Sequence, residues 1–272
     1  MRLNLDILAA WLPEQWRIKQ FGSGLRELTL ARPRLYEPGV AIQADTLYLT
    51  RAEMLPAAPP EVSCSFVCIG RKIPKQYLTA GLPILQLPDT VSLTEVYNRV
   101  QEIYDKFDTW DSHLRDELEI DVDFDIRQLL LLASGFLRRG VNVVDSNLQR
   151  LFSADFDPQT GASIIDQHGP MPMEHNERIK EVCTLERVIR EPYQTALDFD
   201  GRAYCKNLYV SDQFCGCISI NEFGRPFQPW EFPVMAHFFP VSSAHISSTC
   251  APSVDRKTPR FLRCARYSAE ER

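Results

Sequence analysis

Between Leu93 and Glu119 the chain carries apolar residues in a heptad register. Position a reads Leu93, Val100, Phe107 and Leu114, and position d reads Val96, Ile103 and Trp110 before Glu117 breaks the seam. An apolar repeat of 3.5 residues keeps one stripe of a helix facing a partner, so this segment has to pack against something apolar rather than lie in water. Ser92 with Glu95 three positions on forms a capping box, which fixes where the helix starts. Two packings satisfy the stripe. The helix lies on its own domain's sheet, or it meets a second copy as a dimerising connector. The second is the expectation here, with Leu93, Val96, Val100, Ile103, Phe107, Trp110 and Leu114 at the interface.

The segments on either side read differently. Before the helix come short apolar runs at Leu25–Leu30, Thr46–Leu49, Ser65–Gly70 and Ile84–Leu87. They are separated by Pro38-Gly39, Pro59-Pro60 and helical pieces at Arg51–Leu55 and Pro74–Ala80. Short continuous apolar strands alternating with helices predict a small, mostly parallel α/β layer over residues 1–88, with an opening helix at Leu3–Trp16 that Pro13 cuts short.

After the connector, assigned to 89–119, the pattern changes to α+β over 120–240. A helix spans Asp125–Arg139, with Arg138, Arg139 and Gly140 closing it. Strands follow at Val141–Val144 and Leu148–Phe152, a loop at Asp157–Pro172, and a helix at Glu177–Ile189. Three more strands (Gln194–Phe199, Ala203–Val210, Cys215–Asn221) precede a terminal helix at Phe227–Phe239. The fold class is thus α/β followed by α+β, and the second unit has the order of a GAF- or PAS-like sensor domain.

Charge and cysteine usage narrow the function. The chain has 272 residues and a net charge of −6, which disfavours nucleic-acid binding across the whole surface. Only the end is basic. Residues 241–272 hold Arg256, Lys257, Arg260, Arg263, Arg266 and Arg272 against Asp255, Glu270 and Glu271, with Pro252 and Pro259 against helix formation. That stretch is expected to be a flexible tail. No apolar run is long enough to span a bilayer, and Met1–Asp6 lacks the features of a signal peptide, so a cytoplasmic protein without membrane contact is expected. The eight cysteines are scattered without CxxC spacing, as free thiols in a reducing compartment would be, with Cys215 and Cys217 expected on one strand face.

Catalytic and metal motifs do not emerge. Gly70-Arg71-Lys72 has no phosphate-loop spacing, His168 and Glu174-His175 fall in a Pro-marked loop, and alternating Asp121, Asp123 and Asp125 suit a helix N-terminus. Cys205 beside Lys206 has the form of an activated thiol, yet adjacent strand residues point to opposite faces. No cofactor or metal is implied. Tyr204, Tyr209, Phe214, Cys217 and His237 are the candidates for lining a small-molecule pocket, and they are equally compatible with plain core.

Several of these pieces resemble the N-terminal sensing region of PucR-type bacterial transcriptional regulators. They are Leu3–Leu8, Thr46–Leu49, Phe66–Gly70, Val96–Ile103 with Trp110-Asp111, and Val143-Val144-Asp145. The resemblance implies a dimeric, non-enzymatic sensor of a small metabolite, with DNA bound only through a helix-turn-helix domain that this chain lacks after Pro240. The rival readings are a small enzyme using Cys205 or His175 and a pure protein-interaction module.

Overall fold

The computed structural model describes residues 1–22, 27–119, 125–147, 149–165, 188–197, 201–222 and 224–250. Two sheets and five α-helices make up the described α and β structure, giving the mixed α/β and α+β class that the strand patterns predict.

The first sheet has the order β1-β5-β4-β3-β2, formed by β1 (Lys19–Phe21), β2 (Ala31–Leu35), β3 (Thr46–Arg51), β4 (Ser65–Ile69) and β5 (Ile84–Leu87). Its four strands β2 to β5 are parallel, and β1 adds antiparallel to β5. Both faces are covered. Leu47, Leu49, Val67, Ile69, Leu85 and Leu87 enter one apolar cluster while Tyr48, Phe66, Cys68 and Ile84 enter another, which is why these strands read as unbroken apolar runs. The sequence reading misses β2, because Arg32-Pro33-Arg34 does not look like a strand. Proline is tolerated there because β2 is an edge strand. Of the strand expected at Leu25–Leu30, residues 25 and 26 lie outside the described residues, and Leu30 makes only an isolated bridge to Leu3.

Helix α1 (Leu5–Trp11) starts where Asn4 Oδ1 accepts a hydrogen bond from the Ile7 amide at 3.0 Å, and ends before Pro13. A single 3₁₀ turn at Glu14–Trp16 follows, and α2 (Lys75–Thr79) lies between β4 and β5. Helix α3 spans Leu93–Glu119, and the Glu95 amide donates to Ser92 Oγ at 3.1 Å as the capping box requires.

The heptad seam is filled from within the chain. Val96, Val100, Ile103, Phe107, Trp110 and Leu114 are all buried in one cluster with residues of α1, both sheets, α4 (Ile126–Leu137) and α5 (Glu231–Cys250), and Leu93 packs at its edge. Trp110 stacks on Phe136 of α4 with ring centroids 4.4 Å apart and donates its Nε1–H to Leu132 O at 3.3 Å. Phe107 meets Trp11 at 5.1 Å and Phe136 at 4.8 Å. The dimer interface expected at these seven positions is therefore corrected to an intramolecular core. The reason is visible in the register: Tyr97 and Tyr104 follow the seam at position e, widening the stripe to the three-in-seven face of a globular helix. Tyr104 is buried, its hydroxyl donating to Leu30 O and Ala31 O. One apolar cluster thus runs from the first sheet through α3 into the second sheet, across the expected boundaries at 88 and 119.

The second sheet is antiparallel throughout, in the order β8-β7-β6-β11-β10-β9. Its strands are β6 (Val141–Asp145), β7 (Arg150–Asp157), β8 (Ala162–Ile165), β9 (Tyr193–Leu197), β10 (Gly201–Val210) and β11 (Gln213–Asn221). Strand β8 falls in what the sequence predicts as loop. The helix expected at Glu177–Ile189 lies almost wholly outside the described residues, as do His168, Glu174, His175, Asp121 and Asp123. Asp125 caps α4, accepting from the Arg127 amide at 2.9 Å. Helices α4 and α5 cover one face of this sheet through Val141, Val143, Ala154, Ile218 and Ile220.

Helix α5 departs from expectation at both ends. It begins at Glu231, so Pro233 rather than Pro229 sits in its first turn, and it continues through Pro240 to Cys250. Ser242, Ile246 and Ser247 are buried, and Ser242 Oγ donates to Phe238 O at 2.9 Å. Apolar burial beyond the proline offsets the backbone bond that Pro240 cannot make. The tail boundary at 241 is thereby corrected for residues 241–250, and 251–272 lie outside the described residues.

Candidate functional site

The face of the second sheet turned away from α4 and α5 carries many small and polar side chains. Strand pairing sets its side chains in rows. Ser153, Asn142, Ser219, Cys205 and Tyr193 are successive partners across β7, β6, β11, β10 and β9. A parallel row runs Asn221, Ala203, Thr195, and another runs Val144, Cys217, Asn207. Asn142, Ser153, Thr195, Asn207, Ala203, Cys205 and Cys217 are all buried. Small and polar side chains are unusual on a buried sheet face, where bulky β-branched and aromatic residues normally fill the space.

These polar groups are mostly satisfied from within the face. Ser153 Oγ donates to Asn142 Oδ1 at 2.7 Å, and Tyr193 OH donates to Asn207 Oδ1 at 3.0 Å. Ile189 O accepts from both Asn207 Nδ2 and Tyr209 OH, and Arg190 lies 3.6 Å from the centroid of the Tyr209 ring. Asn221 Oδ1 differs, because it is buried and accepts no hydrogen bond among the described residues.

Close to that atom the face opens into a cavity of about 760 Å³, floored by Asn142, Ser153 and Asn221 and walled by Arg138, Arg150, Arg225 and Asp155. Its volume is within the range of small-molecule sites. Gly140 at its base is approached so closely by Asp155 that a Cβ there would meet Asp155 Oδ1 at 2.6 Å.

Arg139, one of the residues lining this cavity, belongs to a buried ion pair. Arg138 adopts a left-handed conformation (φ 54°) and ends α4, which turns Arg139 inward. Arg139 then binds Glu231 bidentately, Nε to Oε1 at 2.9 Å and Nη2 to Oε2 at 2.8 Å, with both side chains almost fully buried. Its remaining donors go to the carbonyls of Glu222, Arg225 and Pro226, and its guanidinium lies 4.6 Å from the Phe227 ring centroid. An arginine with every donor used holds the 222–231 loop and the start of α5 as one piece. Glu222 extends this network. The hydrogen bonds from Arg202 and from the Phe227 amide hold its carboxyl down at about 2.

The sequence-predicted pocket residues do not meet in one place. Tyr204 lies on the helix side, its ring 5.4 Å from Phe232 and 5.6 Å from Phe239. His237, on α5, pairs with Asp111 of α3, Nε2 to Oδ1 at 2.6 Å. Burial pushes the Asp111 carboxyl up, but the His237 and Arg115 contacts outweigh it and leave it below the ordinary carboxylate value. Phe214 and Cys217 lie on the opposite face with Cys205 and Tyr193, and Tyr209 shares that side with Asn207. The set is corrected to two groups on two faces.

A β-bulge explains part of this. Leu208 pairs with Gly216 and Tyr209 with Phe214, so Cys215 is the extra residue. It turns to the helix side, its thiol near Ser247 O, so Cys215 and Cys217 do not share a face as expected. Gly216 is required beside the bulge, because a Cβ there would meet Val144 O at 2.2 Å.

Cys64, Cys68, Cys215 and Cys217 are free thiols and buried, and Cys205 is buried too. Burial pushes the Cys64 thiol up to about 11 and the Cys68 thiol to about 12, so both are poor nucleophiles. Cys205 sits in its sheet row between Ser219 and Tyr193, while Lys206 points the other way to Arg190 O. Among the described residues no three His, Cys, Asp or Glu side chains are placed to hold a metal ion.

The sequence reading misses Asn142, Ser153, Asn221 and the arginines around them. The available signal was a polar residue at every second position of an otherwise apolar strand, as in Val141-Asn142-Val143 and Ile218-Ser219-Ile220-Asn221.

Neither a protein-family model nor a curated protein matches the chain. Among solved structures, the extracellular domain of vpHK1S-Z8, described as a histidine kinase, aligns with a TM-score of 0.28 and 10% identity over 44% of this chain. The aligned region spans 52% of that structure, about half its length. A likeness this slight assigns nothing to this chain. No helix among the described residues is long and apolar enough to cross a membrane.

Proposed function

We propose that this chain is the ligand-sensing portion of a bacterial transcriptional regulator of the PucR type, non-catalytic and cytoplasmic, with a small metabolite as its effector. The observation that carries the sensor reading is the outer face of the second sheet. It is buried, lined by small and polar side chains, and opens into a cavity of about 760 Å³. A face meant only as core would be filled by its own side chains.

The continuous apolar cluster supports the regulatory half of the reading. The strand that carries Asn142 also carries Val141 and Val143, which pack into the same cluster as α3 and the first sheet. A ligand that shifts this sheet therefore pushes on a packed core with few intermediate arrangements, which is how small displacements are passed on. Pairing with a second copy, as the family resemblance implies, uses a surface outside the α3 seam in this reading. DNA contact is assigned to none of the described residues.

Native mass spectrometry of the purified full chain tests the proposal. A bound small molecule is expected, and Ser219→Phe, which fills the middle of the outer face, is expected to remain folded and to lose it. A chain that carries no small molecule, and whose melting temperature answers to none in a metabolite panel, sinks the sensor reading.

A further inference from the structure

The sensor reading leaves the chemistry of the effector open, and the cavity walls bear on it. Arg138 is exposed at the C-terminus of α4, its guanidinium lies 5.9 Å from the Phe156 ring centroid, and that guanidinium makes no hydrogen bond or ion pair among the described residues. Arg225 spends Nη2 on Leu137 O and Glu231 Oε1, while its Nε and Nη1 have no partner among the described residues. Arg150 lines the same cavity. Arg139 is neutralised by Glu231 and faces the loop carbonyls, so it adds rigidity rather than available donors. Three further guanidinium groups around one opening stand out in a chain of net charge −6.

We infer that the cavity at Arg138, Arg225 and Asn221 binds a small organic carboxylate that also carries an N–H or O–H donor. The planar guanidinium fork matches a carboxylate, which the donors of Arg138 and Arg225 meet at the rim. The donor on the ligand reaches Asn221 Oδ1, the buried acceptor left without a hydrogen-bond partner among the described residues. Phosphate fits less well. Asp155 stands in the same wall, and its charge opposes a dianion more than a monoanion. The inference rests on the sensor reading and narrows it to one class of effector.

The full chain is titrated with glycolate, glycine and lactate, with the neutral amides glycolamide and lactamide, and with inorganic phosphate. Heat of binding and melting temperature are the two readouts. At least one carboxylate is expected to bind saturably, more weakly as salt rises, with its amide failing to compete. Arg138→Asn keeps a residue suited to the left-handed conformation, so folding is preserved. It is expected to weaken the carboxylate by about tenfold or more, the strength of a charge-assisted hydrogen bond. Phosphate binding tighter than every carboxylate, amides binding as well as acids, or unchanged affinity in Arg138→Asn each overturns the assignment. If no carboxylate binds while a neutral molecule is found on the purified protein, this inference falls and the sensor reading stands. If no small molecule of any class binds, both fall.

Discussion

The two sheets each have one face against the shared helical core, and their other faces are finished in opposite ways. On the first sheet, Tyr48, Phe66, Tyr77, Ile73 and Ile84 close the outer face, with Tyr48 and Phe66 rings 5.8 Å apart and Phe66 and Tyr77 rings 6.1 Å apart. On the second sheet the rows of the outer face are mostly serine, asparagine, alanine, cysteine and threonine, with Val144, Tyr193, Tyr209 and Phe214 the larger side chains among them. Large rings fill space and leave the sheet nothing to bind. Short polar side chains keep their hydrogen-bonding groups buried yet leave volume beside them, which is a receptor's requirement. The comparison teaches that function in this chain is to be sought where burial is polar and loosely filled. The deepest apolar packing, around α3, is where stability resides.

Substitutions that touch both regions at once break this comparison most severely. Trp110→Asp places a charge among Phe136, Phe107 and His237 in the cluster that both sheets share. It is expected to abolish cooperative folding, a loss of more than about 4 kcal/mol, whereas Arg115→Asp on the solvated side changes stability little. Urea denaturation followed by circular dichroism distinguishes the two. A folded, merely dissociated Trp110→Asp protein would restore the dimer seam.

Next in size is Glu231→Gln, which leaves Arg139 charged and buried without its counter-ion. The expected cost is about 3–5 kcal/mol. Hydrogen exchange should show the opening spreading through 222–231 and the start of α5 while amides of β3 and β4 keep their protection. Uniform loss across both sheets would mean that the two regions do not differ in this respect.

Ile246→Ala tests the helix beyond Pro240. Removing a fully buried side chain costs about 2–5 kcal/mol. A melting temperature equal to that of the unchanged chain would return residues 241–250 to the flexible tail.

The smallest effect belongs to Glu222. Its carboxyl is held at about 2, below the ordinary glutamate value, so it stabilises the fold fully above that ordinary value and loses the contribution as pH falls towards 2. Arg202 is half exposed, so solvent screens the pair and the contribution is small. Glu222→Gln is expected to flatten the decline of stability between about pH 4.5 and 2 with little change at neutral pH. An acid titration of the unfolding midpoint with the same slope in both proteins would show that Glu222 carries none of it.

Much of the architecture is written in local patterns. Strands β3, β4 and β5 are legible because a parallel sheet buried on both faces needs unbroken apolar runs, and the start of α3 is legible because Ser92 and Glu95 cap it. Strand β8 is hidden because Ala162 to Ile165 is short and half exposed at a sheet edge. The candidate site was read poorly. Tyr204 and His237 attract attention as large functional side chains, yet they serve packing and an α3–α5 contact, while Asn142 and Ser153 look like minor interruptions of a strand.

The amino-acid sequence by itself determined the two classes of sheet, the extent of α3 and the existence of its apolar stripe, since each follows from periodicity and capping over a few neighbouring residues. Tertiary structure alone decided what the stripe faces. A heptad seam is satisfied equally by a second chain or by the protein's own strands and helices, and only the position of Phe136, Trp11 and the sheets chooses between them. It also decided the inward turn of Arg139, which depends on a glutamate 92 positions away, and the polar outer face, which depends on register across five strands. Such long-range pairings leave no periodic trace in the chain, because their geometry is fixed by neighbours in space.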